Sequence, residues 1–272
     1  MRLNYMHKFT HLYDNNEITG KIYVQTQALF LDAVLGFSKG DKDLFFEYIL
    51  AVMHKLHATR YHLGNYEMFE KMEYEEVSTR DIDETRECLE LISEVEAFLF
   101  QVKSSLDMLV KLLDAVLGKG IVRTQTYIKY GEKLIKGLEQ YKQSNGANKK
   151  AVDALIYLIT ADKEDWIKTT IGWRNELNHI KGLRGYVFKK VIDSDGKIVI
   201  EKPTFKNKEV LPLLRTIYEN NLNYHQDFIA YVVMLKLPSA FNLIPADKSK
   251  AVQEFGDLGE FVKWNLGFNA PN

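Results

Sequence analysis

The chain has 272 residues, of which 46% are hydrophobic and 27% are charged, and its formal net charge is −1. These values exclude a mainly disordered chain, because such a chain lacks the apolar surface that offsets the entropy of ordering. They also exclude binding that rests on a large overall positive charge. The single cysteine, Cys88, excludes an intrachain disulfide and a cysteine-based zinc cluster.

The sequence contains no stretch of the roughly 20 apolar residues that a membrane-spanning helix needs. Its first residues, MRLNYMHKFTHLYD, lack an apolar core of signal-peptide length. We therefore expect a cytoplasmic protein that has no membrane partner.

Apolar residues recur at helical spacing along most of the chain, which predicts an all-α protein. Residues 21–36 and 41–63 are predicted to form two helices separated by a turn at Gly40. Residues 81–117 are predicted to form one long helix that ends at Gly118. Its apolar positions lie three or four residues apart, at Leu91, Val95, Leu99, Val102, Leu106, Leu109, Leu113 and Val116.

The second half of the chain predicts further helices and one β-hairpin. The helices are predicted at 124–143, at 149–160 and 163–183 with a break at 161–162, and from Glu209 to about Lys236. Residues 186–192 and 197–202 are rich in β-branched residues and flank Asp193-Ser194-Asp195-Gly196, which is typical of a hairpin. Residues 237–272 are predicted to form short helices and irregular chain. The predicted fold is a bundle of six to eight helices with one inserted β-hairpin at about 186–202.

Three segments are predicted along the chain. Residues 1–78 form an N-terminal helical region, residues 79–236 form the helical bundle with its hairpin, and residues 237–272 form a C-terminal extension. We expect one compact unit, because no linker-like low-complexity segment separates them.

Charge is unevenly distributed despite the balanced total. Residues 67–96 contain twelve Asp or Glu against three Lys or Arg. Residues 119–150 contain eight basic residues against two acidic ones, and residues 178–208 contain eight against three. The two basic regions indicate either solvated helix faces or a site for a polyanion.

The segment WRNELNHIKG, residues 173–182, carries the candidate chemistry. On a helix, its polar side chains fall on one arc of about 140°; they are Arg174, Asn175, Asn178 and His179. A separate apolar stripe is formed by Trp166, Trp173, Leu177 and Ile180. Ile167 and Ile171 extend the polar face toward the N-terminus, and we expect that end to contribute to a dimer contact.

These residue types suit the cleavage of a phosphodiester without a metal. An imidazole with a pKa near 6.5 exchanges a proton at neutral pH. A guanidinium stays charged and binds phosphate oxygens through its planar fork. Asparagine supplies neutral hydrogen bonds that can fix the histidine tautomer or hold a sugar hydroxyl. His179 would deprotonate an RNA 2′-hydroxyl, and Arg174 would stabilise the charge that builds on phosphorus.

The pattern Arg174-Asn175-x-x-x-His179 resembles the R-x4–6-H signature of the HEPN superfamily, which often has a polar residue after the arginine. The helix predicted at 96–117 resembles the long helix that packs on the motif helix in that superfamily. The resemblance covers about residues 80–235. A second R-x4-H, from Arg2 to His7, has Leu3 after the arginine and is interpreted as a chance match.

The HEPN resemblance implies a helical, metal-independent endoribonuclease that needs no cofactor. It implies a homodimer whose two motifs share one cleft, with a role in phage defence or toxin–antitoxin growth control and with RNA as the substrate. An antitoxin or another regulatory partner is compatible with it. Arg174 and His179 would be catalytic, and Asn175 and Asn178 would support them. Lys181 stands where some HEPN toxins have a tyrosine, which argues against the tyrosine-dependent nucleotide-modifying activity of those toxins.

Basic side chains near the motif extend the candidate RNA-binding surface. They are Lys181, Arg184, Lys189 and Lys190. Solvated charge is the alternative interpretation. Tyrosines 127, 130 and 141 are interleaved with lysines 129, 133, 136 and 142, which is typical of a single-stranded RNA surface, but core-facing tyrosines are the preferred interpretation.

Two other functions stay open at the level of sequence. A non-catalytic helical module would use the same motif face to bind a nucleotide, RNA or protein. A metalloprotein would use histidines at helical spacing, which are His7 with His11, and His54 with His57 and His62. The chain lacks the repeated Glu-x-x-His pairs of di-iron bundles, so no metal site is predicted.

Overall fold

A computed structural model describes residues 16–33, 39–81, 85–118, 120, 122, 124, 126–144, 146–179 and 187–268. Of these residues 74% are helical, and they form seven helices with a few short antiparallel strand pairs. This confirms the predicted all-α class, the number of helices and the inserted hairpin.

The helices follow one another in chain order. Helix α1 comprises Asn16–Ile18, the π-helical turn Thr19–Val24 and Gln25–Ala33. Helices α2, α3 and α4 are Lys39–Ser78, Leu89–Leu117 and Glu132–Lys142. Helix α5 comprises Lys149–Asp162, the π-helical turn Lys163–Ile167 and Lys168–His179. Helices α6 and α7 are Val210–Met234 and Lys248–Phe255.

The strands form three small antiparallel sheets. Strand β2 (Val187–Ile192) lies between β1 (Thr85–Glu87) and β3 (Ile198–Glu201). Strands β4 (Thr204–Phe205) and β5 (Lys208–Glu209) form a short hairpin. Strands β6 (Phe241–Pro245) and β7 (Trp264–Phe268) form the third pair.

Helices α2 and α3 form the longest packed pair of the bundle. All eight apolar positions predicted for α3 are buried. Helix α2 extends 15 residues beyond the predicted end at residue 63. Its buried face continues there through Glu70 and Glu73, two acidic residues that interrupt the apolar pattern in the sequence. Lys202 Nζ lies 3.1 Å from the Glu70 carboxylate and compensates one of these buried charges.

The helix predicted from residue 81 begins instead at Leu89, so the prediction for residues 81–88 was wrong. Residues Thr85–Glu87 form β1 and pair with β2, with Thr85 opposite Lys189 and Glu87 opposite Val187. Cys88 then has extended backbone angles and is followed by α3. Pairing with a strand about 100 residues away therefore overrides the local helical pattern.

The predicted hairpin at 186–202 is present as β2 and β3. Val191 lies opposite Val199, and Ile192 lies opposite Ile198. In the turn, Asp193 Oδ1 accepts hydrogen bonds from the backbone nitrogens of Asp195 and Lys197, both at 2.9 Å. Gly196 adopts φ 77°, the left-handed conformation for which glycine is suited.

Helix α4 begins at Glu132, eight residues after the predicted start at residue 124. Lys129, Tyr130 and Gly131 precede it with φ values of 49°, 56° and 91°, which form a left-handed turn. Buried Tyr127 fixes the chain before this turn, because its backbone N–H donates to Asp107 Oδ1 at 2.6 Å and its hydroxyl lies 2.9 Å from that of Tyr224. These tertiary contacts exclude a regular helix at 128–131.

The C-terminal segment contains a hairpin that the sequence analysis did not predict. Strands β6 and β7 pair from Phe241 with Phe268 to Pro245 with Trp264, and α7 lies between them in the chain. Gln25 of α1 holds the hairpin: its Oε1 accepts from the backbone nitrogens of Lys263 and Trp264 at 2.7 and 2.9 Å. Its Nε2 donates to the Trp264 carbonyl at 2.8 Å.

One main hydrophobic core draws buried residues from α1 through α6 and reaches from Ile18 to Leu237. Asn148 joins two helix ends at the border of this core. Its Oδ1 accepts from Ala151 N at the start of α5, and its Nδ2 donates to the carbonyls of Met234 and Leu237 at 3.1 and 3.0 Å.

Within the described residues, no helix combines the length and the apolarity needed to cross a bilayer.

Candidate functional site

The candidate motif lies on the last part of α5, after a π-helical turn. The sequence predicts a break at 161–162, whereas the helix continues and accommodates an extra residue at Lys163–Ile167. Asp162 Oδ1 accepts a hydrogen bond from Trp166 Nε1 at 2.6 Å, and Thr170 Oγ1 donates to the Trp166 carbonyl at 2.9 Å. A single π-turn rotates all following residues relative to the preceding helix, so it sets the direction of the motif face.

The apolar side of the motif helix is buried as predicted. Trp166 and Trp173 are 4% and 1% exposed, and Leu177 packs partly buried on the core. Ile180 lies outside the described residues.

The predicted role of Ile167 and Ile171 in a dimer contact was wrong. Their exposed fractions are 0% and 7%, and both belong to the main core of the same chain. Helix α5 packs against α6 before its π-turn and against α3 after it. Helical spacing alone does not distinguish an apolar face that meets a partner from one that meets another helix of the same chain.

The hairpin β4–β5 holds the motif helix in place. Phe205 stacks on Trp173 with ring centroids 4.2 Å apart and planes 17° apart. Lys206 Nζ lies 3.2 Å from Glu176 Oε1, one turn further along the helix. Lys206 and Asn207 have φ values of 51° and 62°, which form the tight turn that places Phe205. This hairpin is not predicted from the sequence, although Asn207 is a residue type that favours left-handed turn positions.

Arg174 is half-buried, and its guanidinium has few protein partners. Its Nη1 donates to Asn175 Oδ1 at 3.2 Å. Its Nε is buried and has no hydrogen-bond partner among the described residues. Across that same part of the chain, Arg174 forms no ion pair with a carboxylate. The two predicted site residues Arg174 and Asn175 are therefore brought together.

The backbone of Asn178 and His179 belongs to the helix that contains Arg174. Their side chains lie outside the described part of the structure, as do Lys181 and Arg184 altogether. In an α-helix, positions five residues apart are separated by about 7.5 Å along the axis and about 140° around it. Arg174 and His179 thus lie at opposite ends of the predicted polar arc.

The other two predicted RNA-binding lysines have different environments. Lys189 is exposed on β2. Lys190 Nζ donates to the carbonyls of Ser78 and Arg80, at 2.9 and 2.7 Å. These carbonyls end α2, where a positive charge is favourable. The Lys190 ammonium therefore caps the end of α2, and its contact with RNA stays a prediction.

The tyrosines near α4 face the core, as the preferred interpretation predicted. Tyr127 is 1% exposed, and Tyr130 and Tyr141 pack partly buried on the core. Burial raises the pKa of Tyr127 and of its partner Tyr224 above the ordinary range, so both phenols stay neutral. A stacking surface for RNA bases is therefore not formed by Tyr127.

Three histidines of the proposed metalloprotein, His54, His57 and His62, are described, whereas His7 and His11 lie outside the described residues. His62 Nδ1 lies 2.7 Å from Glu94 Oε2, and His54 is exposed. Burial, followed by the nearby His54, lowers the pKa of His57 to about 4. In the described ranges, no three His, Cys, Asp or Glu side chains form a group that could hold a metal ion.

A fully buried histidine on α6 makes the stability of the protein depend on pH. His225 is 0% exposed, and its Nδ1 donates to the Asn221 carbonyl at 2.7 Å. Burial lowers the pKa of His225 to about 4, although the hydrogen bond to the Asn221 carbonyl opposes the shift. The unfolded chain therefore binds a proton between about pH 6.5 and pH 4 that the folded chain does not.

We expect the free energy of unfolding to fall as the pH decreases through this window. The His225 contribution to that loss is about 2–3 kcal/mol between pH 7.5 and pH 4.5. Urea unfolding of the wild type and of His225→Gln at pH 7.5 and pH 4.5 measures it. An equal loss in both proteins would contradict the assignment to His225.

Comparison of the chain with protein-family models, with curated proteins and with solved structures found no match. The fold and the site thus define an all-α bundle. In it, a helix with a π-turn presents an arginine that has no carboxylate partner among the described residues.

Proposed function

We propose that the protein is a metal-independent endoribonuclease of the HEPN type. The observation that supports this proposal best is the isolation of the Arg174 guanidinium among the described residues. A permanent charge that is partly removed from water and lacks a carboxylate partner is costly, unless an anion binds to it. Native proteins retain such groups mainly at functional sites.

The anion in this proposal is the scissile phosphate of RNA. The Asn175 side chain accepts a hydrogen bond from Arg174 Nη1 and so orients the guanidinium without neutralising it. Because asparagine is neutral, the residue at position 175 leaves the full positive charge of Arg174 available to the phosphate. An aspartate there would cancel that charge. The π-turn and the Phe205–Trp173 stack hold the helix, so that the guanidinium is positioned before the substrate binds.

In the reaction, His179 takes the proton from the RNA 2′-hydroxyl, and the 2′-oxygen forms a bond to the adjacent phosphorus. Arg174 stabilises the extra negative charge of the pentavalent phosphorane. The bond from phosphorus to the 5′-oxygen then breaks, and that oxygen takes a proton from an imidazolium or from water. The products are a 2′,3′-cyclic phosphate and a free 5′-hydroxyl.

The proposal extends to the setting that the resemblance implies. The enzyme would act in the cytoplasm as a homodimer, in phage defence or toxin–antitoxin growth control, with an antitoxin or another regulatory partner. Because Ile167 and Ile171 belong to the core, the dimer contact requires other residues.

A cleavage assay tests the proposed reaction. The wild-type protein is incubated in EDTA with a pool of end-labelled RNAs and with a DNA pool of the same sequences, across pH 6–8. We expect cleavage of RNA only, with 2′,3′-cyclic phosphate ends. A single 2′-deoxy substitution at a mapped cleavage position should abolish cutting there, because the nucleophile is missing. Intact RNA at every pH, or equal cutting of DNA, would overturn the proposal.

Substitution of Arg174 separates a functional charge from a structural one. We expect Arg174→Met to leave the free energy of unfolding unchanged or to raise it by about 1 kcal/mol, because it removes an uncompensated charge and keeps the length of the side chain. Arg215→Met serves as the control, since Arg215 Nε donates to Glu67 Oε1 at 2.9 Å. A loss of several kcal/mol in Arg174→Met would instead indicate a structural arginine.

A further inference from the structure

Strand β3 is an exposed edge of the three-stranded sheet. Among the described residues it pairs with β2 alone. Its apolar side chains are unusually accessible, with Ile198 55% and Val199 37% exposed. Ile192, which lies opposite Ile198 on β2, is 58% exposed. Short β-branched strands with an open edge are prone to pair with another strand, unless charge or proline prevents it.

The register of the hairpin shows which backbone groups are free at this edge. Asp193 N donates to the Lys197 carbonyl, so these two residues form a hydrogen-bonded pair. Hydrogen-bonded and non-hydrogen-bonded pairs alternate along an antiparallel ladder. Val199 and Glu201 therefore also bond toward β2, whereas Ile198 and Ile200 direct their N–H and C=O groups to the open edge.

The charges on this strand are self-complementary. Lys197 and Glu201 lie two residues before and two residues after Val199, and Ile198 and Ile200 flank it symmetrically. Consider a two-fold axis that is perpendicular to the sheet and lies between the Val199 residues of two copies. This axis brings Lys197 of one copy opposite Glu201 of the other. We propose that β3 pairs in antiparallel fashion with β3 of a second copy of this chain, which forms a six-stranded sheet across a two-fold axis.

This register satisfies the open edge. Ile198 of the first copy lies opposite Ile200 of the second in a hydrogen-bonded pair. The two-fold axis generates a second such pair, between Ile200 of the first copy and Ile198 of the second. The two pairs supply four backbone hydrogen bonds. Val199 meets its own copy in the intervening non-hydrogen-bonded pair, where Cα atoms approach to about 4.5 Å.

Both faces of the joined sheet favour the same register. On the face that carries Val199, Glu201 already lies opposite Lys189 of β2, and Lys197 of the second copy would flank it on the other side. Opposite charges would then alternate across the joined strands, an arrangement that stabilises antiparallel pairs. On the other face, exposed Ile198 would be covered by Ile200 of the second copy. A shift by two residues loses both charge pairs.

A second copy suits this edge better than an unrelated strand, because the charge pattern is the one that two-fold symmetry requires. The inference does not depend on RNA cleavage. It assigns the dimer contact to the open edge of β3, because Ile167 and Ile171 are buried in the core of the same chain.

Charge exchange tests the pairing in solution. Sedimentation velocity is run on the full-length wild type, on Lys197→Glu, on Glu201→Lys and on the double variant. Each single reversal places like charges opposite each other twice, and we expect it to raise the dimer dissociation constant about ten-fold. The double variant restores both opposite-charge pairs between the copies but leaves like charges at positions 189 and 201. We therefore expect its dissociation constant to be closer to the wild-type value than that of either single variant. A monomeric wild type at about 100 μM, or single variants that dimerise as the wild type does, would overturn the proposal.

A disulfide tests the register itself. Val199→Cys should form a disulfide-linked dimer under mild oxidation, because its Cα atoms lie within bonding range across the axis. In Ile198→Cys the two cysteines are offset by two residues, beyond the roughly 7 Å limit for a disulfide, so we expect no cross-link. The native Cys88 is 2% exposed and does not compete. Equal cross-linking of both variants, or of neither, would contradict the register.

Discussion

Replacement of His179 by alanine is expected to lower the rate of RNA cleavage by about 10²–10⁴-fold. In the proposed reaction the imidazole removes the 2′-hydroxyl proton, and alanine leaves only water for that step. His54→Ala is the matched control, since His54 is exposed on α2. The control should cut RNA at the wild-type rate. Single-turnover rates on one mapped site, measured from pH 5 to pH 9, provide the comparison.

Arginine and histidine substitutions should differ in their pH dependence. Arg174→Ala is expected to lower the rate by about 10²–10³-fold, because a stabilising charge on the phosphorane is lost. It should keep the shape of the pH profile, because the proposed base, His179, is unchanged. His179→Ala should lose the part of the profile that reports the base. Full activity of His179→Ala would show that another group is the base.

RNA binding without cleavage would favour the alternative function, a helical binding module. In that case Arg174→Ala would weaken binding of an RNA that the wild type holds intact. A filter-binding measurement on the same RNA pool therefore belongs with the cleavage assay.

Replacement of Trp173 by alanine is expected to lower the free energy of unfolding by about 3–5 kcal/mol. The indole is 1% exposed and stacks on Phe205, so its removal leaves a large cavity and releases the β4–β5 hairpin from the motif helix. Urea unfolding at constant pH measures the loss. Tyr157→Ala is the control; Tyr157 is 77% exposed and its loss should stay within about 0.5 kcal/mol.

A phenylalanine at position 173 should be milder than alanine. Trp173 Nε1 is buried and has no hydrogen-bond partner among the described residues, so Trp173→Phe removes an unsatisfied donor while it keeps an aromatic ring on Phe205. We expect a loss of less than about 2 kcal/mol. Faster hydrogen exchange at residues 204–209 in Trp173→Ala would confirm that the stack holds the hairpin. Unchanged exchange there would contradict that role.

The elements that the sequence predicted correctly depend on local patterns. Eight apolar residues of α3 at helical spacing are all buried, because one face of a long helix must be covered. The turn Asp193–Gly196 lies between β2 and β3, because the aspartate side chain and the glycine conformation define the turn locally.

The elements that the sequence predicted wrongly depend on distant contacts. Residues Thr85–Glu87 form a strand because β2 lies beside them, and α4 starts late because Tyr127 is fixed to Asp107 and Tyr224. Helix α2 continues past residue 63 with Glu70 on its buried face, and Lys202 compensates that charge from a segment that a window of neighbouring residues does not include. Each of these contacts joins residues 20 or more positions apart.

The sequence alone determined that this protein is helical, that a hairpin follows the motif, and that Arg174 and Asn175 share a polar face. These are properties of spacing and residue type within one element. Only the tertiary structure decided that Ile167 and Ile171 belong to the core, that Lys190 caps α2 and that Arg174 lacks a carboxylate partner among the described residues. The physical reason is that burial and charge compensation depend on which distant segment covers a side chain, and a periodic pattern does not specify that segment.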